Sequence, residues 1–339
     1  MKEKNQIRLT STEIAQLWAQ YLSDSASQCI LLYFLEKVED EEIKPIIEYA
    51  AKLSSRHIQE IANILTEEKH TLPQGFKVED DVNLTAPRLY SDTYVLQFIH
   101  QMSKIGLTSY AASLSSTVRK DITDYYKSCL VDTMTLFEMS KDTLLTKGLY
   151  VRSPYFPNLD HVDLVEKQSF IWDLFGEKRP LTAIEASNLY ANTQRNALGI
   201  ATLMGFSQVA KSKDVTQFFI KGIGIAKKHV QLFSEKLAES DIPIAVSWAV
   251  EVTNVTSHVF SEKLMMYYVA TLNALGIGFY GTGIAQSPRI DLGVMYNKMS
   301  VQVQMYSEDG ANIMIKNKWL EQPPLASDRK ELANKNNQS

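Results

Sequence analysis

"LTSTEIAQLW" (residues 9–18) and "LTAIEASNLY" (residues 181–190) are two spellings of one pattern, 172 residues apart. Each begins with Thr-x-x-Glu, Thr10 with Glu13 and Thr182 with Glu185. Such a capping box starts a helix: the hydroxyl takes one free backbone N–H and the glutamate reaches back to another. The same offset joins "SSRHIQEI" around His57 to "AKKHVQLF" around His229. After the second helix the offset becomes 170 and then holds. "KIGLTSY" meets "ALGIGFY", pairing Gly106 with Gly276 and Tyr110 with Tyr280; "VRKDITDYY" meets "PRIDLGVMY", pairing Arg119 with Arg289, Asp121 with Asp291 and Tyr126 with Tyr296. Glu138 with Glu308, and Pro154 with Pro324, keep the register. A register held this far with a single shift marks an internal duplication.

The repeat unit reads as helical. Apolar residues recur at helical spacing through Ile14, Leu17, Trp18, Tyr21, Leu22 and Cys29, and again through Ile43, Ile46, Ile47, Ala50, Leu53, Ile58, Ile61 and Leu65. The short break at "VEDEE" makes these two helices antiparallel neighbours. Ser91 and Ser261 are candidate caps of a third helix, and Ser287-Pro288 reads as an N-cap and first helical residue of a fourth, near Thr117 in the first copy. Between helices two and three, "EEKHTLPQGFKVEDDVNLTAPRLY" is long enough to run back along the bundle. The expected fold is therefore all-α, two tandem ferritin-like four-helix bundles, each with one long crossover. The expected boundaries are a first bundle at 1–150, a connector with a short helix at 151–180, a second bundle at 181–325 and a polar tail at 326–339.

Composition agrees with a globular chain. Of 339 residues, 45% are hydrophobic and 22% charged, enough apolar side chain for two cores. A net charge of −4 offers no basic face for phosphates, so nucleic acid is not an expected partner. Cys29 and Cys129 sit in apolar runs without metal or redox spacing and read as buried reduced thiols. With no apolar core in "MKEKNQIRLTSTE" to make a signal peptide, the expected location is cytoplasmic. Residues 264–285 carry no formal charge, but their first-copy counterpart carries His100 and Lys104, so a buried helix is expected there and no membrane span. Gly276-x-Gly278-x-x-Gly281 inside this helical repeat reads as small residues at a helix contact, since a dinucleotide loop must follow a strand.

The connector "FPNLDHVDLVEKQSFIWDLFGEKRPLTAIE", with "YSDTYVLQFIHQMSKIGLTSYAASLSSTVRKDI" and its second-half partner, resembles a family of uncharacterised tandem ferritin-like proteins of spore-forming bacteria, some labelled spore coat proteins. The resemblance implies the fold and a spore association, and no activity.

A ferritin-type di-iron centre needs a glutamate from each of two helices and Glu-x-x-His from each of the other two. Three residues before His57 stands Ser54, and before His229, Ala226; Glu138 and Glu308 are followed by Lys141 and Ala311. Glu13 and Glu185 are taken by the caps. His57 and His229 nevertheless lie on apolar ladders, and counting levels along the bundle brings His57 near Tyr110 and Tyr126, and His229 near Tyr280 and Tyr296. Arg119 with Asp121, and Arg289 with Asp291, would stand near the mouths. His70, His100, His161 and His258 have no counterparts and are expected to be surface or incidental residues. No nucleophile or phosphate motif occurs. The expected function is thus a non-enzymatic structural or interaction protein without cofactor, with protein partners or self-association. The alternative is a metal- or small-ligand-binding protein, a redox enzyme included, holding iron, manganese or zinc at His57 and His229 or a ligand in the two His/Tyr pockets.

Overall fold

Thr10 and Thr182 cap helices as their sequences demand. In a computed structural model, which describes residues 7–171, 178–243 and 251–335, both capping boxes are complete and open α1 (Ser11–Lys37) and α6 (Ala183–Val209). A short turn leads α1 into α2 (Lys44–Glu67), and α6 into α7 (Lys213–Ala238). Ser91 and Ser261 cap α4 (Asp92–Ser116) and α8 (Glu262–Gln286), each hydroxyl accepting a backbone N–H three residues on. The fourth helices are α5 (Lys120–Thr146) and α9 (Ile290–Lys316). Short α3 (Val78–Asp81) lies in the first crossover and α10 (Arg329–Lys335) in the tail.

The fourth helices begin two residues later than the sequence suggests. Arg119 and Arg289 occupy the cap positions without a side-chain cap bond, and Ser287 ends α8 instead of opening α9. Glu13 and Glu185 supply the reason. Beyond its own cap, the Glu13 carboxylate accepts the N–H groups of Val118 (3.1 Å) and Arg119 (3.0 Å), and Glu185 accepts that of Arg289 (3.0 Å). One buried carboxylate thereby satisfies the starts of two helices.

In each copy the first helix packs on the second and the third on the fourth, with the second also against the fourth. The ends fix the directions. The turn after α1 meets the start of α4, where Asp40 N–H donates to Asp92 (2.9 Å), and the start of α5 meets the start of α1 through Glu13. The order is up, down, down, up, with one long crossover between the second and third long helices.

The two crossovers meet and pair with each other. Asn83 N–H donates to Val259 O (2.7 Å) and Thr253 N–H to Leu89 O (2.9 Å). Ser261 donates through its amide to Asp81 O (2.8 Å) and through its hydroxyl to the Asp81 carboxylate (2.6 Å); Ser91 makes the same two bonds to Glu251. Every bond has its mirror at the 170 offset, the pattern of a two-fold, isologous contact. Phe98 and Tyr268, equivalent positions, stack on each other at 5.6 Å, marking the axis. The largest core runs through both halves.

The charge-free stretch 264–285 of α8 is buried on its first turns, through Leu264, Met265, Met266, Tyr268 and Val269, and later mainly at Tyr280 and Gly283. Among the described residues no helix is long and apolar enough to cross a membrane. Among its described residues the connector carries a 3-10 turn, Gln168–Phe170; residues 172–177 of the quoted stretch lie outside the described residues, as do 336–339 of the tail.

Candidate functional site

His57 and His229 both project from the second helix of their bundle into its core, at 2% and 1% exposure. The surroundings differ. In the first bundle His57 Nδ1 faces the Asp24 carboxylate from α1, at 3.3 and 3.4 Å to its two oxygens. Gln20 Nε2 donates to Asp24 from one turn earlier (3.2 Å). The edges of Tyr110 and Tyr125 meet the imidazole with centroids at 5.8 and 6.1 Å. Burial opposes a charge here, but the hydrogen bond to Asp24, the nearby Cys129 and the Asp24 charge outweigh it, pushing His57 up to about 10. His57 is then an imidazolium at neutral pH, and Nε2 has no hydrogen-bond partner.

That nitrogen's ring lines a cavity of about 370 Å³. Gln16, Gln20, Asp24 and Ser103 give it polar points; Leu53, Phe98, Ile99 and Met102 make it largely apolar. Tyr267, Tyr268 and Thr271 of α8 close it from the second copy, Tyr267 bonding Ser23 across the contact (3.1 Å). The Gln16 and Gln20 side-chain oxygens are also buried without partners.

In the second bundle Asn196 stands where the first has Asp24. His229 Nδ1 is 2.9 Å from the Tyr280 hydroxyl and Nε2 is 3.1 Å from Gln302 Oε1. A neutral imidazole protonated on Nε2 satisfies every group: it donates to Gln302 and accepts from Tyr280, whose oxygen accepts the Asn196 amide (3.0 Å). Burial, only partly offset by Gln302, holds His229 below its ordinary value. The adjoining cavity is smaller, about 120 Å³, with the Arg195 guanidinium stacked 3.6 Å over Phe279 at its edge.

Of the residues singled out from sequence, Tyr110 and Tyr280 do meet the histidines. Tyr126 and Tyr296 sit one layer deeper, against Tyr110 (6.4 Å) and Tyr280 (5.9 Å), and Tyr125 takes the expected place of Tyr126 beside His57. Arg119 and Asp121 are not at a pocket mouth. They close the bundle end, Arg119 pairing with Asp121 (2.5 Å) and Glu68 (2.6 Å), as Arg289 pairs with Asp291 (2.8 Å) and Glu239 (3.0 Å). His100 is not at the surface: it is buried at 2% exposure, bonded to Ser140 (3.0 Å) and stacked on Phe137. Asp24, Gln20, Tyr125 and Cys129 were missed. The signal was Asp24 itself, a carboxylate seven residues after Leu17 on the buried stripe, aligned with polar Asn196 in the other copy.

The donor set does not fit a di-iron group. Glu138 and Glu308 are exposed, Glu13 and Glu185 are spent on helix starts, and among the described residues no group of three or more His, Cys, Asp or Glu could hold a metal ion.

Two helical bundles from one duplicated unit, mated through their crossovers and carrying an equivalent buried histidine each, define the chain as an all-α protein of two tandem repeats. It belongs to the family described as Protein of unknown function (DUF3231), whose model matches twice, over residues 1–162 and 169–332. None of the curated proteins matches the chain. A solved structure described as "a putative spore coat protein" from Bacillus halodurans is similar at 14% identity and a TM-score of 0.39, over 45% of this chain and 98% of its own.

Proposed function

We propose that the first bundle is a binding module for a small, mostly apolar neutral molecule carrying one hydrogen-bond acceptor. One observation carries this reading: the buried His57, held by the Asp24 carboxylate at Nδ1, lines a cavity of about 370 Å³ and its Nε2 has no partner. An unmet buried donor costs about 1–3 kcal/mol, which an incoming acceptor oxygen recovers. Asp24 balances the imidazolium, so the site favours a neutral acceptor such as a carbonyl over an anion. A neutral naphthyl ketone whose emission reports polarity is the direct probe. It should bind once per chain and lose about tenfold in affinity in His57→Phe. Ser109→Trp, which fills the cavity from an exposed helical position, should abolish binding; unchanged binding in both variants would sink the proposal.

A structural or interaction role is the second reading, favoured in the second bundle by His229, whose two ring nitrogens are both bonded. Spore association belongs to this reading through the sequence resemblance alone; a fluorescent fusion that stays in the mother cell cytoplasm and never reaches the spore would remove it.

A further inference from the structure

Six arginines are buried or half-buried, and five of them pair with a carboxylate: Arg56 with Asp132, Arg88 with Asp92, Arg119 with Glu68, Arg179 with Glu185 and Arg289 with Glu239. Arg195 is the exception. Among the described residues no acid stands within ion-pair distance of it, and its one side-chain hydrogen bond runs from Nη1 to Asn192 Oδ1 (3.3 Å). Its guanidinium carbon lies 3.6 Å from the centre of the Phe279 ring, which braces the group and leaves the Nε and Nη2 edge without an acceptor. That edge is a fork of two parallel N–H donors, spaced for the two oxygens of a carboxylate. Arg195 lines the second-bundle cavity, where no Asp or Glu accompanies it and His229 has both ring nitrogens bonded. Asn273 lines the same cavity, and its Nδ2 is buried without a partner. Two donor groups on one wall thus lack acceptors, and the remaining wall is largely apolar, through Leu198, Leu203, Ile225, Leu272 and Val303.

The first bundle is built the opposite way. At the positions of Arg195, Phe279 and Asn273 it has Ser23, Ser109 and Ser103, and it has Asp24 where the second has Asn196. The cation, the ring that braces it and the amide therefore occur together in one copy, and the acid that would repel an anion stands in the other. Packing does not ask for that grouping, since the first bundle closes with serines at the same three places. We propose that the second-bundle cavity binds a small monocarboxylate, its two oxygens on the Nε and Nη2 edge of Arg195, with Asn273 Nδ2 as a further donor and the hydrophobic body inside the cavity. A space of about 120 Å³ takes a body about the size of a benzene ring. The single cation matches a single negative charge; a phosphate dianion would leave its second charge against apolar surroundings.

This site is separate from the His57 cavity and does not rest on the binding reading given for it. Calorimetric titration of the intact chain with sodium benzoate at neutral pH should show one site per chain. Benzamide, the same shape without the charge, should bind at least about tenfold more weakly. Arg195→Met keeps an unbranched stem against Phe279 and should weaken benzoate by about tenfold or more. Gly199→Leu should abolish benzoate binding. Gly199 lines the cavity one turn after Arg195, and a Cβ added there meets nothing within 4 Å, so the new side chain takes the space meant for the ligand. Leucine also favours a helix over glycine, so this variant stays folded, which an unlowered thermal midpoint would verify. Benzamide as tight as benzoate, phenyl phosphate tighter than benzoate, or benzoate affinity unchanged in either variant overturns the proposal. His57→Phe should weaken the ketone and leave benzoate untouched, and Gly199→Leu should leave the ketone untouched, so the two readings fail separately.

Discussion

Asp24 and Asn196 occupy one position in the two copies and give their histidines opposite charge. The Asp24 carboxylate faces His57 Nδ1 at 3.3 Å, whereas Asn196 bonds the Tyr280 hydroxyl and leaves the tyrosine to meet His229. One oxygen-for-nitrogen exchange separates an imidazolium from a neutral imidazole. Removing that difference should therefore be measurable at each end.

His57 is raised in the folded state, so the stability it contributes is complete below its unfolded value and fades as pH climbs through about 10. Urea titrations of the intact chain should lose on the order of 2 kcal/mol across that alkaline window, and Asp24→Asn should flatten this loss. An unchanged slope in Asp24→Asn would show that the pair does not hold the proton.

The converse exchange, Asn196→Asp, should lift His229, which burial now holds below its ordinary value. Nitrogen-detected NMR of the imidazole would follow it, with the neutral Nε2–H form giving way to the cation near neutral pH. A spectrum that stays neutral in the variant would mean that Tyr280 shields the ring from the new charge.

Much of the frame was legible because its signals are local. Thr10 and Glu13 lie three residues apart, and a capping box needs nothing beyond that spacing. The crossover length dictated the helix order for the same reason. The site depended instead on rotation about helix axes. Tyr125 and Tyr126 differ by one residue, a turn of about 100° on an α-helix, which decides which ring meets His57. The starts of α5 and α9 were misplaced because Glu13 and Glu185 act across more than a hundred positions of chain, replacing local caps. His100 looked incidental because its counterpart, Ala270, is not polar, yet Ser140 and Phe137 bury it.

Glu13→Gln and Glu185→Gln should each cost about 1–2 kcal/mol, since each carboxylate serves two helix starts. Burial opposes their charge, but backbone N–H groups, and for Glu185 the Arg179 guanidinium, hold both below the usual carboxylate range. The stability they add is present above their unfolded value and lost as pH falls through the lowered folded one. Acid denaturation midpoints should move upward in both variants, and a midpoint unchanged in either would contradict the role given to that carboxylate.

Gly205 sits where a Cβ would run into the Tyr90 ring, whose hydroxyl donates to Thr202 O (2.8 Å) from the other copy. Gly205→Ala should destabilise by about 1–3 kcal/mol through overpacking. Differential scanning calorimetry reads this as a lower midpoint; the second substitution Tyr90→Phe, which deletes the hydroxyl nearest the added methyl, should restore part of it.

The mirrored bonds of Asp81 with Ser261 and Glu251 with Ser91 tie the two bundles into one cooperative unit. Asp81→Ala with Glu251→Ala should split a single calorimetric transition into two. A single sharp transition in the double variant would place the coupling in the aromatic contact at Phe98 and Tyr268 instead.

The two-fold pairing of the crossovers has a hereditary consequence. When such a mating joins separate, identical polypeptides, every substitution is inherited twice and both halves must tolerate it. Joined in one reading frame, the halves mutate independently while remaining obligate mates. The first can then keep a carboxylate beside its histidine while the second fills the same place with an amide, and the second half continues to supply the wall that closes its neighbour's cavity.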